Sequence, residues 1–240
     1  MARRTDDIGF GGLRLIQDTD YFCYGVDAVL LADFAADSPH RHLVDIGTNN
    51  GIIPLITAGI TETPRITGIE VQEGPARLAE ENVSLNDLGE RIRIIRSDIL
   101  DIDGHLEKGC CDAVTCNPPY TEKGRGIINE GDSLTAARHE TTAGLEDFIK
   151  GAAWLLADRG AFYMIHRPAR IIDIACSCRK YRLEPKLLRF ISPRRGEKPN
   201  LMLIKCIKNA GRELKLLEPL AVYSPDGGYT EEILKIYRKI

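Results

Sequence analysis

Residues 42–60 read HLVDIGTNNGIIPLITAGI, and the order of chemistry along this stretch decides the fold. "HLVDIG" (42–47) is a short apolar run, too brief for a helix and closed by a glycine, so it reads as a buried strand. "TNNG" (48–51) interrupts it with residues that favour turns. "IIPLITAGI" (52–60) then opens an apolar helix. Strand, tight turn and helix in that order are the first part of a βαβ unit.

Outward from this unit the alternation continues. "RITGIE" (65–70) is a second strand. "QEGPARLAEENVSLNDLG" (72–89) is a helix with Gly89 as its C-terminal stop and with Ala76, Leu78, Ala79, Val83 and Leu85 on one apolar stripe. "RIRIIRSDI" (91–99) and "CDAVTC" (111–116) read as strands. They are followed by helix "LEDFIKGAAWLLADRG" (145–160), strand "AFYMIH" (161–166), helix "PARIIDIACSCRKY" (168–181) and strands "KLLRFIS" (186–192) and "LMLIKCI" (201–207). Alternating β and α units predict an α/β fold with a doubly wound, mostly parallel sheet. Only the turn-like "PRRGEKPN" (193–200) separates the last two strands. They should form a C-terminal β-hairpin that places one antiparallel strand in the sheet. That combination resembles the Rossmann-like architecture of class I methyltransferases. Residues 1–42 read as an N-terminal cap segment with the helix-prone "VDAVLLADFAAD" (26–37), and residues 43–240 as the main domain.

Composition narrows the class. With 43% hydrophobic and 28% charged residues, the 240-residue chain suits one large soluble domain. No apolar run reaches the roughly eighteen residues of a membrane span, and "MARRTDDIGFGG" lacks the apolar core of a signal peptide, so a cytoplasmic protein is expected. Seven cysteines include Cys110–Cys111 and Cys176-x-Cys178 but no pair at metal or redox spacing, so no metal site is expected. Charge is unevenly placed. Residues 1–158 hold 14 Lys and Arg against 27 Asp and Glu (−13), and residues 159–240 hold 18 against 8 (+10), together the net −3. A basic later half points to an anionic partner.

Ligands of such sheets lie beyond the carboxyl ends of the strands, near the switch in strand order. Asp45 and Gly47 close the first strand. Glu70 closes the second, about twenty residues after the first turn, where a carboxylate holds ribose hydroxyls. Asp98 follows the third strand, positioned to accept from an adenine amino group, with Ile99 packing on the ring. The first turn, Gly47-Thr48-Asn49-Asn50-Gly51, is not the G-x-G-x-x-G of dinucleotide enzymes, although asparagine tolerates left-handed backbone. Those acids without a pyrophosphate pattern favour S-adenosylmethionine as the ligand. Asp45, Gly47, Asn49, Gly51, Glu70, Val71, Asp98, Ile99 and Asn117 form the candidate cofactor set.

The fourth strand ends in "CNPPY" (116–120). The lone pair of a base's exocyclic amine is delocalised into the ring, so the amine is a poor nucleophile. Acceptors aimed at its two N–H groups draw it towards a pyramidal form that frees the lone pair. Asn117 offers a side-chain oxygen and Pro118 a carbonyl with no competing N–H. Pro118 and Pro119 have fixed φ, which holds that carbonyl in place. Tyr120 supplies a stacking face for a base taken out of its stack. No general base is required, because the methylated nitrogen is acidic and loses its proton to water. His139 and His166 have no partner at a diagnostic spacing and read as ordinary hydrogen-bonding histidines.

"NPPY" after a fourth strand is similar to the amino-methyltransferases. Together with "GLRLIQ", "FCYGVDAVLLADF", "AARHE", "HRPAR", "YRLEPK" and "NLMLI", the chain resembles the tRNA1(Val) adenine N6-methyltransferase family over almost its whole length. The resemblance implies S-adenosylmethionine, no metal, and a tRNA substrate methylated on the adenosine 3′ of the anticodon. It further implies Asn117 and Pro118 as acceptors, Tyr120 as stacker, and Gly25, Val26 and Asp27 closing over the cofactor. Asn49-Asn50 depart from the glycine and serine or threonine usual in that family's first turn. Arg167 and Arg170 beside a helix, Arg194, Arg195 and Lys198 in the hairpin loop, and Arg138 in the polar segment 121–140 are candidate RNA contacts, as are Arg179, Lys180 and Arg182. The segment 121–140 reads as a loop that substrate orders. The acceptor pair equally serves base amines in rRNA or DNA, or a release-factor glutamine. A non-catalytic RNA-binding module on the same scaffold is a further alternative, against which the intact "NPPY" beside Glu70 and Asp98 argues.

Overall fold

A computed structural model describes residues 3–18, 21, 23–120 and 143–239. The segment 121–140, with Arg138 and His139, lies outside the described residues.

The central strand β3 (His42–Ile46) is buried along its whole length, which a near-continuous apolar run with covered faces requires. It pairs in parallel with β4 (Arg65–Glu70) on one side and β6 (Cys111–Cys116) on the other. β5 (Ile92–Arg96) adds to β4, and β7 (Leu156–His166) to β6, both parallel. β9 (Leu201–Lys208) runs antiparallel to both β7 and β8 (Leu183–Arg194), so it is the one reversed strand, as the absence of a helix between the last two strands predicts. The order is β10-β8-β9-β7-β6-β3-β4-β5, with β10 (Lys215–Leu216) and β11 (Leu220–Tyr223) both parallel to β8. The chain leaves β3 towards β4 and β5, then returns to β6 on the opposite side. The ends of β3 and β6 are therefore the switch point.

Helices cover both faces. Helices α1 (Val26–Ala35) and α2 (Ile52–Ile60) contribute to one apolar cluster with Leu43, Ala113 and Ile165. A second cluster gathers α4 (Leu145–Leu155) and α5 (Ile171–Lys180) over Val44, Val114 and Met164. These alternate residues along β3, β6 and β7 point to opposite faces, the period of two made visible.

Three local readings need correction. α3 (Glu73–Leu85) ends before Gly89: Asp87 takes the left-handed conformation at φ 54 and terminates the helix first, and Leu85 is only half-buried. The helix expected over 145–160 stops at Leu155, because Leu156 already pairs with Cys111 and Arg159 at φ 62 turns the strand back into register at Ala161. β10, β11 and α6 (Glu231–Ile236) were not expected. They shield the edge of β8, and Pro219, which has no N–H for the ladder, separates the two short strands.

The N-terminal segment begins with a hairpin, β1 (Arg3–Asp7) and β2 (Arg14–Asp18). Its open edge is read by two amides one turn apart, Asn82 on α3 and Asn86 at its C-cap. Asn82 accepts from Ile16 N (2.7 Å) and donates to Ile16 O (3.1 Å) and Asn50 O (3.0 Å). Asn86 accepts from Arg14 N (2.8 Å) and donates to Arg14 O (2.7 Å). Asn82 is fully buried, so these bonds both satisfy it and fasten the hairpin beside the first turn.

Candidate active site

The turn after β3 has three left-handed residues, Gly47 (φ 74), Asn49 (φ 50) and Gly51 (φ 82). Asn50, the other asparagine of the pair, is not among them. The bend lets Gly47 N and Thr48 N both donate to Ile69 O at 2.9 Å, drawing the turn against the end of β4. A Cβ on Gly51 would come within 3.3 Å of Ala79 on α3, so glycine there serves close helix packing as well as φ.

Glu70 lies at the end of β4 with its carboxylate in this turn. Asn49 N donates to Oε2 and Gln72 N to Oε1, each at 2.9 Å. Burial raises its pKa against the opposing pull of those amides. Beneath the turn, Asp45 is wholly buried and accepts from Thr115 Oγ1 at 2.7 Å on its neighbouring strand. Burial pushes its pKa up to about 7, partly offset by the hydroxyls of Thr115 and Thr48. Five buried side-chain polar atoms among the described residues lack a hydrogen-bond partner. Three of them lie at this edge: Thr48 Oγ1 and Asn49 Oδ1 in the turn, and Asp45 Oδ2 beneath it, where it faces the Thr48 hydroxyl. Buried polar groups are ordinarily satisfied, so the unpartnered Asn49 Oδ1 beside the open Gly47 suits a polar ligand.

Asp98 caps a short 3-10 helix, accepting from Leu100 N at 3.1 Å. Ile99 is packed under α4: a Cβ on Gly151 would fall 2.4 Å from its Cγ1. Val71, directly after Glu70, is half-buried.

On the other side of β3, Ile46 pairs with Cys116, so Asn117 leaves β6 level with Gly47. Cofactor turn and "NPPY" are thus neighbours by register. Pro118 is buried, Pro119 exposed, Asn117 and Tyr120 half-buried. The partner that organises them comes from α1. Asp27 Oδ2 accepts from Asn117 Nδ2 at 3.0 Å and lies 3.0 Å from the Tyr120 hydroxyl. The same hydroxyl lies 2.8 Å from Asn117 Oδ1. One Tyr120 proton therefore serves two acceptors. Burial, then the Asp27 charge, raises the Tyr120 pKa far above the usual phenol range, so that proton stays in place. The resemblance assigned Asp27 to the cofactor; in the structure its bonds run to Asn117 and Tyr120. Gly25 caps α1 without a Cβ, which would sit 2.8 Å from Asp27 Oδ1, and Val26 packs into the core below.

The Tyr120 ring meets the edge of His166 (centroids 5.2 Å, 65°) and the Arg167 guanidinium (5.8 Å). His166 is buried and accepts from Arg167 N at 2.8 Å on Nδ1. Its place in the site was missed because its spacing to "NPPY" in sequence carries no signal. The "HRPAR" stretch that ends β7 is what delivers it.

Basic residues divide by whether their charge is already used. Arg179 is tied to Glu184 and Lys180 to Glu146, and Arg170 bonds Asp173. In the hairpin, Arg194 is within 3.6 Å of Glu197 and stacks over Tyr223 at 6.0 Å, while Arg195 and Lys198 are exposed. Met202 pairs with both His166 and Phe190, so β8 continues four residues past the level of His166. At about 3.3 Å per residue the hairpin stands roughly 13 Å above it, beyond the carboxyl end of β7. Among the described residues no cluster of His, Cys, Asp and Glu suits a metal ion, and no helix is long and apolar enough to cross a membrane.

Comparison with known proteins gives the family. Residues 15–170 match the methyltransferase small domain family, and the chain belongs to that family. A tRNA1(Val) (adenine(37)-N6)-methyltransferase of Porphyromonas gingivalis is 32% identical over 66% of this chain and 64% of its own length. A protein of the same name from Aeromonas hydrophila is 28% identical over 88% of this chain and 87% of its own. Among solved structures, a predicted O-methyltransferase of Agrobacterium tumefaciens aligns with TM-score 0.72 and 24% identity, over 88% of this chain and 95% of that one, a likeness of fold.

Proposed function

We propose that this chain is a cytoplasmic, S-adenosylmethionine-dependent methyltransferase acting on the N6 amine of an adenosine in tRNA, the adenosine 3′ of the anticodon of tRNA1(Val). The named relatives support the substrate. The observation that carries the chemistry is the shortage of hydrogens at Asn117: its Oδ1 and Asp27 Oδ2 share one tyrosine proton. An amine with two N–H groups supplies what is lacking, one hydrogen to Asn117 Oδ1 and the other to the Pro118 carbonyl. Tyr120 then donates wholly to Asp27.

The residues of the first turn fit the cofactor. Glu70 retains acceptor capacity for ribose hydroxyls, and the unpartnered Asn49 oxygen suits its charged amino-acid end. When bound, the cofactor supplies a methyl carbon on a sulfonium sulphur that keeps the bonding electron pair as a neutral thioether. Asn117 and Pro118 localise the lone pair that forms the new N–C bond. Positive charge then collects on the nitrogen, its bond to Asn117 Oδ1 strengthens, and the proton leaves to water. Stabilisation that grows towards the transition state is what accelerates the step.

The test is to incubate the protein with methyl-labelled cofactor and unmodified tRNA, then digest to nucleosides. Label in N6-methyladenosine is expected. Label in another nucleoside, or none in tRNA and some in a release factor, would overturn the assignment.

A further inference from the structure

Resting on that reading of the site, we propose that Asp27 is the positioning residue of the "NPPY" motif, fixing which end of the Asn117 carboxamide faces the substrate. The two ends of a carboxamide are nearly identical in shape and opposite in chemistry. Only the oxygen polarises an amine; a flipped side chain would set N–H against N–H and block it. A carboxylate accepts and never donates while ionised, so the 3.0 Å contact between Asp27 Oδ2 and Asn117 Nδ2 admits one orientation.

Asp27 is itself held for this task. It lies in the first turn of α1, where a negative charge interacts favourably with the helix dipole. Its Oδ1 accepts from Ala28 N at 3.0 Å, which leaves Oδ2 for the motif. Gly25 leaves room for that rotamer. Asp27 and Asn117, ninety positions apart, lie at a helix N-terminus and a strand end on separate elements of one core, so the contact is set by the fold. Asp27 also polarises the carboxamide: an N–H bonded to an anion makes the carbonyl oxygen of the same amide a stronger acceptor.

The test uses the isosteric Asp27→Asn, with Asp27→Glu as the conservative variant, in the full chain. Three readouts are taken: single-turnover methylation of tRNA, cofactor affinity, and hydrogen exchange of the Asn117 side-chain amide by NMR. A roughly tenfold to hundredfold slower transfer is expected for Asp27→Asn, the usual effect of removing an orienting partner. Partial rescue by Asp27→Glu, cofactor affinity close to wild type and faster exchange at Asn117 should accompany it. In an Asn117→Ala background, Asp27→Asn should cost almost nothing further, because its effect runs through Asn117. Additive losses, or loss confined to cofactor affinity, would overturn the proposal and return Asp27 to the cofactor. The amide exchange stands apart from the substrate: an unchanged Asn117 signal in Asp27→Asn refutes the positioning role even if tRNA is not the substrate. A wild-type protein inactive on tRNA refutes only the functional reading.

Discussion

Asn49 N donates to Glu70 Oε2 across 2.9 Å, joining the turn after β3 to the carboxylate that ends β4. Two strands that are neighbours in the sheet thereby share one rigid ligand edge. Asn49 takes the left-handed conformation (φ 50) that asparagine tolerates, so the turn keeps its bend without a glycine there.

Glu70→Ala should weaken S-adenosylmethionine binding by about 1–3 kcal/mol, through the lost ribose acceptor and through release of the Asn49 and Gln72 amides. Calorimetric titration without RNA measures it. Wild-type affinity in this variant would place the ribose elsewhere.

Asp45 predicts a pH dependence of stability. Its folded pKa is raised from 3.8 to about 7 by burial, so the folded state holds the proton more tightly than the unfolded one. The stability this gives is complete below about pH 4 and is lost as pH rises through about 7, roughly 1.4 kcal/mol for each unit of the shift. Asp45→Asn removes the titration. Urea melts should show the variant gaining on wild type from pH 4.5 to pH 8; a constant difference would contradict the raised pKa of this buried carboxyl.

Asn82→Ala should destabilise the protein by about 1–3 kcal/mol, since Ile16 N, Ile16 O and Asn50 O all lose a buried partner. Denaturant midpoints measure the loss. A change under half a kilocalorie, within the range of surface substitutions, would mean the hairpin is fastened by other contacts.

Much of this was legible before any coordinates. The strand–turn–helix of 42–60, the acids at strand ends and the position of "NPPY" follow from periodicity and from prolines that no central strand tolerates. What escaped is what depends on distant pairing. Nothing in the spacing of Asp27, Asn117 and His166 says that three elements converge. Asn82 did carry a signal, a polar residue on the apolar stripe between Ala79 and Val83, where an unpartnered amide would be costly. β11 gave almost none: "LAVY" is too short to call a strand until β8 offers it an edge.

The basic half yields a graded expectation. Arg194→Ala with Arg195→Ala should weaken tRNA binding and lower its salt slope by about one unit per lost phosphate contact, leaving cofactor affinity unchanged. Arg179→Ala and Lys180→Ala should do less, because Glu184 and Glu146 hold those charges at 2.7 and 2.5 Å, whereas Glu197 stands 3.6 Å from Arg194. Filter binding across salt concentrations decides it. A hairpin variant with the wild-type slope, or equal losses at both places, would contradict this surface.

The most direct test is the single-turnover rate of methyl transfer by Asn117→Ala at saturating tRNA and cofactor, where weakened binding no longer contributes. Removing one preorganised partner of the reacting group should slow transfer by roughly 10²–10³ while S-adenosylmethionine binds nearly as in wild type. Transfer at the wild-type rate would mean that Asn117 does not polarise the amine and that residues 116–120 form only a rigid turn.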